Sequence, residues 1–139
     1  MKRTNCIVFL LLCLGISVGF VSCKKSTVTN PSVRIIGKWK KANYATDDNV
    51  NGVIDSWEMR KASTAVVNVL EFKKDNSGIE TATGSPDLGF SWSLSGGLLK
   101  ITYNTGDAFS YNVLLLNSAK LNITAKTTVG LAGYYYESQ

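Results

Sequence analysis

The chain has 139 residues, with 15 lysines and arginines against 10 aspartates and glutamates and a formal net charge of +5. It carries no histidine, and its three cysteines, Cys6, Cys13 and Cys23, all lie near the N-terminus. Ser-His-Asp and Cys-His catalysis and the usual zinc sites are therefore excluded, and residues 24–139 hold neither a disulfide nor a thiol ligand.

In chain order, Lys2 and Arg3 precede an apolar run from Ile7 to Phe20. A basic start followed by a short apolar stretch is the pattern of a signal peptide, and the run is too short for a convincing membrane span. It ends in Phe20-Val21-Ser22-Cys23, which resembles the lipobox of bacterial lipoproteins, with an ordinary secretory signal as the alternative. The lipoprotein resemblance implies a signal peptide at 1–22, lipid (palmitate-type acylation) on Cys23, and a polar tether over 23–32 with Pro31 near its end. Lys24 and Lys25 would then meet anionic head groups. The expected location is the Gram-negative cell envelope, outer membrane before inner, leaning toward a periplasm-facing leaflet. Residues 33–139 have the length of one domain. The cluster Lys38, Lys40 and Lys41 and the pair Lys73 and Lys74 read as a solvated face. Aromatic residues are not interleaved with them in a repeated stacking pattern, so no nucleic-acid partner is expected.

Residues 47–58 read Asp-Asp-Asn-Val-Asn-Gly-Val-Ile-Asp-Ser-Trp-Glu and match the calcium loop of an EF-hand at each constrained position. A hard cation needs six to eight oxygens. The spacing offers side chains at Asp47, Asn49 and Asn51, the Val53 carbonyl, Asp55 (through water) and a bidentate Glu58, with Gly52 at the sharp turn. The competing reading is a polar turn, because Asp, Asn and Gly dominate turns as well. With two amides among the ligands, Ca²⁺ affinity is expected to be weak, with a Kd of about 10⁻⁴–10⁻³ M, as for extracellular modules.

From Val33 onward, short strands recur between turn signals, which predicts an all-β fold. Strands are expected near Ile35–Ala45, Ala65–Lys73, Ile79–Thr83 and Phe90–Ser95, then near Leu99–Tyr103, Phe109–Leu115, Leu121–Ala125 and Leu131–Glu137. One helical turn is expected at Glu58–Ser63. The alternation is plainest where Phe90, Trp92 and Leu94 interleave with serines, and Gly96-Gly97 marks a tight hairpin. Phe109, Tyr111, Val113 and Leu115 are predicted to share one face. In the run Tyr134-Tyr135-Tyr136, the first and last share a face and the middle one faces the other way. About eight strands joined by short turns close most economically as a single antiparallel up-and-down barrel, since closure removes exposed edges.

Gly37-Lys38-Trp39 at the start of the first strand resembles the G-x-W signature of lipocalins. Together with the lipobox, the tether, the acidic loop and the meander, it makes the chain similar to the lipocalin-like lipoproteins of Gram-negative bacteria. That resemblance implies an eight-stranded barrel with Trp39 at its closed end and the 47–58 connection as a calcium-ordered lid over its mouth. The interior could line a ligand pocket, with Phe72, Phe90, Trp92, Ile101, Phe109 and Tyr111 as candidates. The leading expectation is a lipid-anchored, non-enzymatic, monomeric binding protein. Its ligand would be a small apolar molecule, a glycan or a protein. A structural or adaptor lipoprotein with a filled barrel is the alternative. Glu80, Asp87 and Asp107 are lone acids with no paired-carboxylate spacing, so no catalytic residue is expected.

Overall fold

The computed structural model of the chain describes residues 30–139. The expected signal peptide, the expected lipidation site Cys23 and most of the expected tether lie outside the described residues. The tether's last residues belong to a short helix, α1 (Pro31–Arg34), which Asn30 caps by accepting from the Ser32 amide. Pro31 occupies the first turn, where its missing N–H costs nothing.

Nine strands follow: β1 (Gly37–Thr46), β2 (Met59–Lys61), β3 (Asn68–Phe72), β4 (Ser77–Ala82), β5 (Leu88–Ser95), β6 (Leu98–Tyr103), β7 (Ala108–Leu116), β8 (Lys120–Thr127) and β9 (Gly130–Ser138). All pairings are antiparallel, each of β3 to β8 pairs with the next, and β1 joins β3 on one side and β9 on the other. Eight strands thus close an up-and-down barrel, and β2 is an additional strand.

That extra strand corrects the expected helical turn at Glu58–Ser63. A single 3-10 turn, Ser56–Glu58, precedes it, and the chain is extended from Met59. The reason lies on β1. β3 pairs with Gly37–Lys40 only, which leaves Asn43–Ala45 without a partner on that side, and β2 supplies it. Unpaired edge groups are costly when covered and adhesive when exposed, so three residues of strand are preferred to a helical turn there.

Two bulges reset the alternation. One lies between Lys41 and Asn43 where β1 meets β9, the other between Val113 and Leu115 where β7 meets β8. The second corrects the expected face of β7. Leu116, not Leu115, packs against the core, and Leu115 is left exposed, because one extra residue flips every side chain beyond it.

The core fills the end that α1 covers. Ile35, Trp39, Phe72, Trp92, Leu99 and Leu121 are buried there. The Trp39 indole donates to the Ile35 carbonyl at 2.7 Å, tying the first strand to the helix that caps it. Ser32 Oγ reaches the Leu94 carbonyl at 3.1 Å and Arg34 Nη1 the Leu116 carbonyl at 3.3 Å. Gly78 lies opposite Phe90, and a Cβ there would stand 2.2 Å from the Phe90 ring. The ring uses the room that the missing side chain leaves.

Candidate functional site

At the other end, where β1, β4, β6 and β8 finish, the inward positions are polar. A cavity of about 220 Å³ lies in this half, walled chiefly by Lys41, Glu80, Tyr103, Tyr111, Tyr134 and Tyr136, with Phe109 at its edge. Strand geometry puts these groups together. Side chains two apart share a face, so a strand that turns Trp39 inward also turns Lys41 inward, before the bulge intervenes. Leu70 and Glu80 are cross-strand partners, as are Lys41 and Tyr136, and directly opposed residues share a face.

Glu80 is held from two sides. Asn68 Nδ2 donates to one carboxylate oxygen at 2.5 Å, and the Tyr103 hydroxyl donates to the other. Burial first, then that contact, keeps the Tyr103 phenol protonated far above its ordinary range. Burial also raises Tyr111, to about 12, and raises Tyr136. The Lys41 ammonium stands over two ring faces, 5.4 Å from the Tyr134 centroid and 6.0 Å from that of Tyr136. Desolvation lowers its pKa, and the nearby negative charge of Glu80 offsets part of that. The two charges line one cavity without touching. Among the described residues the ion pairs are Lys38–Glu71 and Arg60–Asp48, and no carboxylate comes within 4.0 Å of Lys41.

Aromatic contacts connect this half to the filled one. Phe72 meets Trp92 and Phe90 edge-on, Phe90 meets Tyr103, Tyr103 meets Phe109, and Tyr111 meets Tyr134, with centroids 5.4–6.1 Å apart. Phe109 and Tyr111 stack at 6.4 Å. Edge-to-face rings hold one another's orientation, so the cavity walls are braced by the core.

Of the six pocket candidates from the sequence, Ile101, Phe109 and Tyr111 line the cavity. Phe72, Phe90 and Trp92 are not among its lining residues, and their assignment is corrected: Phe72 packs edge-on against both other rings within the core. The solvated-face reading of Lys41 is corrected too, since it points into the barrel. Glu80 and Tyr103 were not singled out as site residues. Their signal was present, because Tyr103 continues the inward series Leu99, Ile101, and Glu80 opposes Leu70.

The loop 47–58 sits at the rim beside the β8–β9 turn. The Asp47 amide donates to the Leu131 carbonyl at 2.8 Å, and a Cβ on Gly130 would stand 3.1 Å from the Asp47 carbonyl oxygen. None of its residues lines the cavity, which corrects the expected lid. Its local geometry is ordered. Asp47 accepts from the amides of Asn51 (3.0 Å) and Gly52 (2.9 Å), Asn49 Oδ1 from that of Asn51 (3.1 Å), and Asn51 Oδ1 from that of Val53 (2.8 Å). Asn49 and Asn51 both donate to Asp55 Oδ2, at 3.1 and 3.2 Å. Glu58 is fully buried and accepts from Asp48 and Asp55, both at 2.8 Å. Gly52, with φ +82°, takes the left-handed turn. The oxygen-rich side chains therefore gather in one loop. Among the described residues, however, no three carboxylates converge on a common centre. Each carboxylate oxygen has two lone pairs, so accepting one amide leaves capacity for a hard cation. The donor set suits Ca²⁺ in kind.

No family model matches the chain, and no curated protein matches it. Among solved structures, a lipocalin-like protein from Bacteroides uniformis ATCC 8492 is similar, with 13% sequence identity and a TM-score of 0.42. The match covers 76% of this chain and 99% of that one.

Proposed function

We propose that the chain is a lipid-anchored binding protein of a Gram-negative cell envelope, whose barrel takes a small ligand into the cavity at its open end. The observation that carries this reading is the cavity itself. Large apolar residues fill one half of the barrel, while the other half holds fixed polar groups around open space. A small number of placed polar groups within an apolar, aromatic wall is the usual composition of a ligand site. At about 220 Å³, the space lies below the roughly 300–1,000 Å³ of typical drug-sized sites, so the ligand is small. Lipid on Cys23, with Lys24 and Lys25 beside it, would hold the barrel at a membrane surface.

The test is calorimetric titration of phenol into the purified full chain, beside Ile123→Phe, which adds bulk to the cavity wall. Saturable binding that the variant abolishes supports the reading. Equal heats from both proteins, or none from either, would return the chain to the class of adaptors acting through their outer surface.

Calcium belongs to the same proposal as a structural ion. Asp47, Asn49, Asn51, Asp55 and Glu58 would hold it with the Val53 carbonyl. It would stiffen the rim next to the β8–β9 turn without entering the cavity. A melting temperature that rises with Ca²⁺ and returns with chelator supports this role, and identical melting in both conditions rules it out.

A further inference from the structure

We propose that the cavity selects a small hydroxy-carboxylate with a flat apolar body, its carboxylate on Lys41 and its hydroxyl on Glu80. This inference rests on the small-ligand reading above and names the chemistry that the site would recognise.

The charges in the cavity are unbalanced. Lys41 is an ammonium with three N–H donors, turned into a barrel, and no carboxylate of the described residues lies within 4.0 Å of it. Two tyrosine rings stand near it. They supply a favourable face for a cation, but no acceptor oxygen that neutralises its charge. Burying a charge without a partner is costly. Glu80 is the nearby negative charge, yet Asn68 and Tyr103 hold it in place away from contact with Lys41. Both groups border the same space.

A ligand carboxylate in that space would complete the Lys41 environment with a charge-assisted bond, roughly twice as strong as a neutral one. The Glu80 carboxylate can only accept, so the complementary ligand group is a donor. A hydroxyl fits, and it avoids placing a second negative charge beside Glu80. Between the two poles the walls are Phe109, Tyr111, Tyr134 and the aliphatic Ile101 and Ile123, which suit a planar ring through edge and stacking contacts. The size of the space limits the body to about one ring.

Binding of para-hydroxybenzoate, para-hydroxybenzamide and benzoate to the purified full chain tests this by calorimetry. The acid and its amide share a shape and differ in charge, while benzoate lacks the donor. The expected result is that para-hydroxybenzoate binds at least about tenfold more tightly than the amide. Lys41→Met should erase that preference, and Lys41→Arg should retain it. Glu80→Met, which leaves no oxygen acceptor at that position, should erase the preference for para-hydroxybenzoate over benzoate. Melting curves of each variant establish that it is folded. Equal binding of acid and amide, or a preference that survives Lys41→Met, overturns the charge assignment and leaves the small-ligand reading standing. No binding of these three probes overturns this proposal, and if phenol also fails to bind, the small-ligand reading falls with it.

Discussion

At the end closed by α1, the inward positions of β1, β3, β5 and β6 carry Trp39, Phe72, Trp92 and Leu99, none more than 5% exposed. Toward the mouth, β1, β4, β6 and β9 carry Lys41, Glu80, Tyr103 and Tyr134 around open space. The same strands and the same two-residue alternation build both halves. Alternation decides only which way a residue faces. Whether the interior then fills depends on whether the inward groups can pack without losing their partners. Apolar rings interdigitate and exclude water, whereas a desolvated ammonium and a carboxylate keep space and polar company around them.

The contrast is broken most severely by deleting a core ring. Phe72→Ala should cost about 3–5 kcal/mol in denaturant unfolding, while Tyr111→Phe at the cavity should stay within about 0.5 kcal/mol. Similar losses from the two would show that the halves are packed alike. Next comes the rim. Glu58→Gln puts an amide donor among the backbone donors of Asp48, Asn49 and Asp55, which should destabilise the fold by about 1–3 kcal/mol. An unchanged unfolding midpoint would mean that the loop does not depend on this carboxylate.

A smaller effect follows from alkaline titration. Folding raises the Tyr111 pKa from 10.0 to about 12 and also raises Tyr103 and Tyr136, chiefly through burial. Between pH 10 and 12 the unfolded chain therefore holds fewer protons on these groups than the folded one, and their contribution to stability falls as pH rises. Phenolate absorbance of the native protein should lag that of the urea-unfolded protein across this window. Coincident curves would place these phenols in water. Smallest is Lys41→Met. Folding lowers the Lys41 pKa below 10.5, so the ammonium is a cost at neutral pH that is relieved only as pH climbs toward 10.5. Removing it should raise the melting temperature slightly, and a decrease would show that the ammonium already has a stabilising partner.

Much of the filled half was legible in the sequence. Phe90, Trp92 and Leu94 between serines announced a half-buried strand, and Gly96 and Gly97 take the expected left-handed conformations, with φ +57° and +81°. The eight barrel strands followed from the same period. β2 was not legible, since three residues without alternation become a strand only because β1 offers a bare edge at Asn43–Ala45. The bulge that turns Leu116 inward in place of Leu115 has no sequence mark either, because an extra residue is defined by the partner strand that it overshoots. The cavity was half legible. Three aromatic candidates belonged to the core instead, and Lys41 hid within a run of lysines whose other members face solvent. The inward position of Trp39 implied that of Lys41, two residues on, but composition suggested a solvated face. Glu80 needed the register with Leu70, which only the paired strands reveal.

An ammonium stands inside the open half of the barrel, and the pKa of Lys41 measures that placement directly. Nuclear magnetic resonance of the full chain, labelled at lysine, would give it with and without para-hydroxybenzoate. The expected value lies below 10.5 in the free protein and rises when the carboxylate binds beside it. An ordinary value in the free protein, unmoved by the ligand, would place the ammonium in water and contradict the polar cavity.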